Sequence, residues 1–172
     1  MATVARMGRY LVVAHQTADS PTLIKKVREL LAGDPEAEFV VLTPRRPITM
    51  TMALGGEKRS ATQVAIWRAR RTAQRLRTAG ATVVSARLGS FDPLQAIDDE
   101  LLFGEFSGVI ISTLPHGLSA WLHIDLPAKV KHRWPGLDVI QVTTPSVFYQ
   151  EEDVVTPQQV QAAAPLAQRV SP

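Results

Sequence analysis

Two short segments concentrate the side chains that can do chemistry. Ala14-His15-Gln16-Thr17 places an imidazole, an amide and a hydroxyl in consecutive positions after Ala14. Ser112-Thr113-Leu114-Pro115-His116-Gly117-Leu118-Ser119 brings three hydroxyls and a second imidazole. Thr43, before Pro44, adds one more hydroxyl. Hydroxyls and amides both donate and accept hydrogen bonds, so the set suits a small polar ligand or a phosphate. His15 and His116 are candidates for acid–base work or metal ligation. A metal wants a third ligand, which His123 or Asp125 would have to supply, and the spacing matches no zinc motif. No metal site and no catalytic residue is assigned. The competing reading has Ser112, Thr113 and Ser119 capping a strand end and the next helix. Ser119 fits it best, because an apolar helical start follows.

Two groups of cations stand apart from these segments. Arg45, Arg46, Lys58 and Arg59 flank a loop containing Pro47 and Gly55-Gly56. They suit a lid that supplies positive charge to a phosphate, and the competing reading is a solvated loop. Arg68, Arg71 and Arg75 share one face of a helix, opposite Ile66, Ala69, Ala73 and Leu76. That face reads as solvated surface. Trp67 beside it suits a dimer contact. No aromatic residues interleave with the arginines and no nucleic-acid-binding signature appears, so no nucleic-acid partner is expected.

The elements that must position these residues alternate regularly. Tyr10–Ala14, Phe39–Leu42, Ala81–Ala86, Gly108–Thr113 and Leu137–Val142 are runs of strand length, several apolar without a break, as in strands buried on both faces. Ser20-Pro21 caps a helix carrying Leu23, Val27, Leu30 and Leu31, closed by Gly33. A second helix spans about 60–79 and ends at Gly80. Asp92-Pro93 starts a third, with Gln95 in capping-box position and Leu94, Ile97 and Leu101 inside. Residues 119–133 hold a short or interrupted helix with Pro127 near a start. Five alternations predict an α/β three-layer sandwich, with a five-stranded parallel sheet between helices. The first two helices should cover one face and the next two the other. Residues 1–145 form the domain. Residues 146–172 read as an arm or short helix after Thr156-Pro157.

Composition bounds the function. The 172 residues are 45% hydrophobic, enough for a core. The absence of cysteine excludes disulfides, iron–sulfur clusters and a thiol nucleophile, and suits a reducing cytoplasm. No apolar run approaches the roughly 20 residues of a membrane span, so no membrane association is expected. The apolar stretch near the N-terminus is too short for a signal-peptide core. Residues 1–87 hold 15 Lys and Arg against 6 Asp and Glu, whereas residues 88–172 hold 4 against 10. Most of the basic excess falls in 45–77, which predicts a basic patch beside the second strand. Phosphate-loop, dinucleotide-loop and nucleophile-elbow motifs are absent. A phospho-accepting receiver needs an Asp at the end of the third strand, where Ala86-Arg87-Leu88 stands.

Several of these segments, in order, resemble the universal stress proteins over about residues 9–143. Gly89-Ser90-Phe91-Asp92-Pro93-Leu94-Gln95-Ala96-Ile97 is similar to that family's G-D-P-x-x-A-I turn. Gly108-Val109-Ile110-Ile111 resembles its fourth strand, and Gly117-Leu118-Ser119 with Lys129-Val130 its last helix. The resemblance implies a Rossmann-like sheet of order 3-2-1-4-5, related to adenine-nucleotide hydrolases, in a homodimeric stress protein whose candidate ligand is an adenine nucleotide. ATP-binding members carry an Asp after the first strand, where this chain has His15-Gln16-Thr17. They also carry a glycine-rich phosphate loop ending in Gly-Ser/Thr after the fourth strand. No glycine lies between Ser112 and Pro115, and Ile124-Asp125 aligns with that final pair. Asp125 would cap the helix and repel a triphosphate, by roughly 1–4 kcal/mol at about 4 Å. The expected site is therefore a degenerate one at His15–Thr17, Thr43 and Ser112–Ser119, in a non-enzymatic binder. The alternatives are a nucleotide hydrolase or transferase using His15 or His116 as base, and a partner-binding module without ligand.

Overall fold

The computed structural model describes residues 7–15, 17, 20–45, 58–115 and 124–145. In chain order the elements are β1 (Arg9–Ala14), α1 (Pro21–Gly33), β2 (Glu38–Pro44), α2 (Lys58–Thr78), β3 (Thr82–Gly89), α3 (Pro93–Phe103), β4 (Gly108–Thr113), α4 (Leu126–Arg133) and β5 (Asp138–Thr143). All four strand pairings are parallel, in the order β3-β2-β1-β4-β5. This is the α/β architecture and the strand order expected. The central strands β1, β2 and β4 are the unbroken apolar runs, because both of their faces are covered.

Alternation along each strand sorts the core into two layers. Val12, Ala14, Phe39, Val41 and Ile110 face α1 and α2, where they pack with Leu23, Val27, Ala73 and Leu76. Leu11, Val13, Val40, Leu42, Val109 and Ile111 face α3 and α4, meeting Ala96, Ile97, Leu101, Leu126 and Val130. The two helix pairs thus take opposite faces, as predicted. The charge split follows them. Arg70, Arg71, Arg75 and Arg77 lie on α2, whereas Asp98, Asp99 and Glu100 lie on α3.

Most helix signals operate as read. The Ser20 hydroxyl accepts from Leu23 N–H at 3.2 Å, and Pro21 follows as the first helical residue. Asp92 Oδ1 accepts from Leu94 N–H at 2.8 Å. Gly80 leaves α2 at φ 97°, the left-handed turn that glycine enters without a Cβ penalty. Gly33 differs: it is the last residue of α1, and the Asp34 N–H closes the helix onto Leu30 O at 2.8 Å. β3 extends three residues beyond its expected end, because Arg87, Leu88 and Gly89 still pair with Leu42, Thr43 and Pro44. An edge strand tolerates such polar, exposed positions.

Candidate functional site

β1 and β4 are neighbours, and Ala14 pairs with Ser112. From β1 the chain crosses through α1 to β2 on one side, and from β4 through α4 to β5 on the other. The carboxyl ends of these two strands are therefore the switch point where open parallel sheets bind ligands. His15, Thr17, Ser112 and Thr113 all belong to this edge, and Thr43 joins from β2.

The hydroxyls there have separate tasks. Thr43 donates to Ala14 O at 3.0 Å and ties β2 to the end of β1. Thr17 donates to Ser112 O at 3.4 Å and fixes the segment after β1 to β4. Thr113 donates to Val142 O at 3.5 Å. Ser112 is different. Its residue is 1% exposed, and its Oγ has no hydrogen-bond partner among the described residues. By alternation with Ile110 it faces the α1/α2 layer. A buried hydroxyl left without a partner costs about 1–3 kcal/mol.

His15, half-buried, meets a cation from across the same layer. Arg68 Nη1 lies 3.3 Å from His15 Nε2. Arginine carries only donors, so in this contact Nε2 accepts and the neutral ring keeps its proton on Nδ1. Arg68 is 6% exposed. The expectation that it shares a solvated face with Arg71 and Arg75 is thus corrected. Its α2 neighbours on the buried stripe are Ala65, Ala69, Thr72, Ala73 and Leu76, and Ile66 is only half-buried. The spacing of that stripe, three and four residues apart, runs through position 68 and carried the signal. Residue type hid it, because arginine is rarely buried. Arg71 instead lies over the half-buried Trp67 ring, 5.1 Å from its centroid.

The other expected residues are placed as follows. Arg45 Nε donates to Gly89 O at 3.0 Å, and its guanidinium lies 4.8 Å over the Phe91 ring, so it lies against the β3–α3 turn. Lys58 and Arg59 are the first two residues of α2. Pro115 is half-buried just beyond β4. Gln16, Arg46, His116, Gly117, Ser119 and His123 lie outside the described residues. Asp125 precedes α4 as expected but does not cap it. It adopts φ 50°, ψ 48°, and its side chain makes no capping hydrogen bond. The left-handed backbone turns the side chain away from the arrangement a cap requires. Among the described residues no group of three or more His, Cys, Asp or Glu could hold a metal, and no helix is long and apolar enough to cross a membrane.

A separate cavity of about 650 Å³ lies at the opposite, amino-terminal edge of the sheet, lined in part by Met7, Arg9, Phe106 and Trp134. The switch-point rule favours the other edge.

Comparison with solved structures decides the fold family. A universal stress protein from Archaeoglobus fulgidus superposes with a TM-score of 0.55 at 15% identity, covering 78% of this chain and 93% of that one. The chain has the universal stress protein fold. A second example, a universal stress protein family protein from Arabidopsis thaliana with AMP bound, gives 0.51 at 10% identity, covering 84% of this chain and 97% of that one. No family model and no curated protein matches the sequence. The left-handed residue before α4 is Asp125, at the position where the resemblance puts a Ser or Thr.

Proposed function

We propose that this protein is a cytoplasmic, homodimeric, stress-related binder of a small adenine-containing ligand, which it holds without turnover. The ligand sits at the carboxyl edge of β1 and β4. Its contacts come from His15, Thr17, Thr43 and Ser112, with Gln16, Thr113, Pro115, His116, Gly117 and Ser119 around them. Arg45 and Arg46, which follow β2, and Lys58 and Arg59, which open α2, are the candidate phosphate lid. Residues 146–172, expected as an arm or short helix, lie outside the described residues.

The observation that carries this reading is the Ser112 hydroxyl. It is buried at the switch point, and its hydrogen-bonding capacity is unused among the described residues. A polar ligand would meet that need. The Arabidopsis protein of this fold is described with AMP bound, which makes adenine nucleotides the first ligands to test. Binding is favoured over general-base catalysis by His15, whose Nε2 lone pair already faces the Arg68 guanidinium. Trp67 beneath Arg71 is the candidate dimer contact.

Isothermal titration with adenosine, AMP and ATP tests the ligand. Saturable heat with AMP is expected, and no heat with any of the three overturns the reading. Native mass spectrometry of the purified chain tests the assembly, with twice the monomer mass expected and the monomer mass alone ruling the dimer out.

A further inference from the structure

We infer that the cavity at the amino-terminal edge of the sheet is a second binding site, for a zwitterionic α-amino acid with a large apolar side chain. The site lies at the end of the sheet away from the switch point, and it does not depend on the nucleotide-binding reading.

The cavity has a volume of about 650 Å³, within the roughly 300–1,000 Å³ of small-molecule sites. Strand register sets its charges. Arg9 opens β1 and pairs with Glu38, which opens β2. Backbone bonds hold both residues: Ser107 N–H donates to Arg9 O at 2.7 Å, and Glu38 N–H donates to Gly8 O at 2.8 Å. The Arg9 guanidinium lies 5.5 Å over the Phe106 ring. Its Nε stands 3.8 Å from Glu38 Oε2, beyond hydrogen-bond length. That nitrogen is shielded from solvent and has no hydrogen-bond partner among the described residues. A shielded donor without an acceptor is costly, so a ligand carboxylate that reaches it is favoured.

The apolar wall is held in place. Leu101 is buried, and Phe106, Trp134 and Leu137 are half-buried against the α3/α4 core. The Trp134 indole N–H donates to Asp98 Oδ1 at 2.7 Å, and Arg133 Nε lies 2.8 Å from Asp98 Oδ2. The ring is therefore fixed before a ligand arrives. Gly136 leaves room beside it, since a Cβ there would meet nothing within 4 Å.

The balance of charge selects the ligand. The lining carries one guanidinium, Arg9, and two carboxylates, Glu38 and Glu105. The carboxylates disfavour a phosphate or a simple carboxylic acid, and Arg9 disfavours a simple amine. An α-amino acid carries both charges on one carbon, which matches a cation and a carboxylate 3.8 Å apart. Its carboxylate takes the Arg9 donors and its ammonium takes Glu38. Its apolar side chain lies against Leu101, Trp134 and Leu137, removed from water.

Titration of the full chain with phenylalanine, phenethylamine and hydrocinnamic acid reads each charge separately. Phenylalanine should bind about tenfold or more tightly than either analogue, the strength expected of charge-assisted hydrogen bonds. Glycine, which has both charges and no side chain, should also bind about tenfold or more weakly than phenylalanine. Arg9→Gln should bring phenylalanine down to the affinity of phenethylamine, whose own affinity should stay within about twofold. Glu38→Gln should bring phenylalanine down to the affinity of hydrocinnamic acid. Added AMP should leave phenylalanine binding unchanged, because the two sites lie at opposite edges of the sheet. Displacement of phenylalanine by AMP overturns the proposal. So does equal affinity for phenylalanine and either analogue, and so does the absence of both heat and thermal shift with phenylalanine, tryptophan and leucine alike. The last two results leave the nucleotide reading standing, and failure of AMP to bind leaves the amino-acid site standing. If neither variant folds, the comparison of phenylalanine with its two analogues on the wild type decides alone.

Discussion

The Arg68 guanidinium reaches His15 from the middle of α2, with Nη1 3.3 Å from Nε2. One side-chain contact thus joins a helix on the α1/α2 face to the end of the central strand. Ala65, Ala69 and Ala73 flank Arg68 on the buried stripe, so this long side chain spans a distance that they cannot.

Removing the acceptor from that pair should destabilise the protein. In His15→Leu the buried guanidinium keeps its desolvation cost and loses a partner, so unfolding free energy should fall by about 1–3 kcal/mol. His15→Gln, which retains an acceptor, should recover most of the loss. Chemical denaturation of the three proteins measures this. Equal stability of His15→Leu and the wild type would mean that the contact contributes nothing.

A close packing contact governs the end of β3. A Cβ at Gly89 would run into the Ala96 side chain and come within 3.1 Å of Leu42 Cδ1. Ala96 belongs to α3 and Leu42 to β2, so both neighbours are fixed in the α3/α4 layer. Gly89→Ala should therefore cost about 1–3 kcal/mol through overpacking. Gly33→Ala is the control, since nothing lies within 4 Å of a Cβ there. Thermal melts should show a lowered transition for the first variant alone.

Much of this fold is readable from periodicity, and the exceptions have physical causes. Val12, Val41 and Ile110 sit in unbroken apolar runs because helices cover both faces of their strands. Ser20-Pro21 and Asp92-Pro93 mark helix starts because their side chains accept the first free N–H groups. The strand order was legible only through the family resemblance, since local pattern carries no information about which parallel strands lie side by side. Arg68 was hidden because its burial depends on a partner 53 positions away. The extra length of β3 was hidden because Ser85 to Gly89 follow no apolar pattern and are held by pairing with β2. Asp125 looked like a cap because its type is right. Its backbone angle, set by the chain entering α4, is not.

Tyr10 should shape stability at alkaline pH. Its ring stacks on Phe39 with centroids 5.7 Å apart. Partial burial, then the nearby Asp34 and Asp138 carboxylates, push its phenol above the ordinary tyrosine value. The folded state therefore favours the neutral phenol. That contribution is complete below the unfolded-state value of about 10 and is lost as pH rises through the raised folded value. Tyr10→Phe keeps the stacked ring and removes the titration. Its stability should decline less than that of the wild type between about pH 9 and 11. Parallel declines in denaturant titrations would show that the phenol is not responsible.

The exposed carboxylate before α4 should set the response to phosphate-chain length. Asp125 holds φ 50° and ψ 48° without capping the helix, so its side chain does not repay the left-handed backbone with a hydrogen bond to the first turn. Glycine takes that conformation freely. Asp125→Gly also removes negative charge from a helix N-terminus, where N–H groups and the dipole favour anions. One carboxylate near a polyphosphate costs about 1 kcal/mol even in a water-like dielectric. The variant should therefore bind ATP at least about fivefold more tightly than the wild type, with adenosine affinity unchanged. Titration of both ligands against both proteins measures the difference. An ATP affinity that does not respond to loss of Asp125 would place the phosphate chain away from α4.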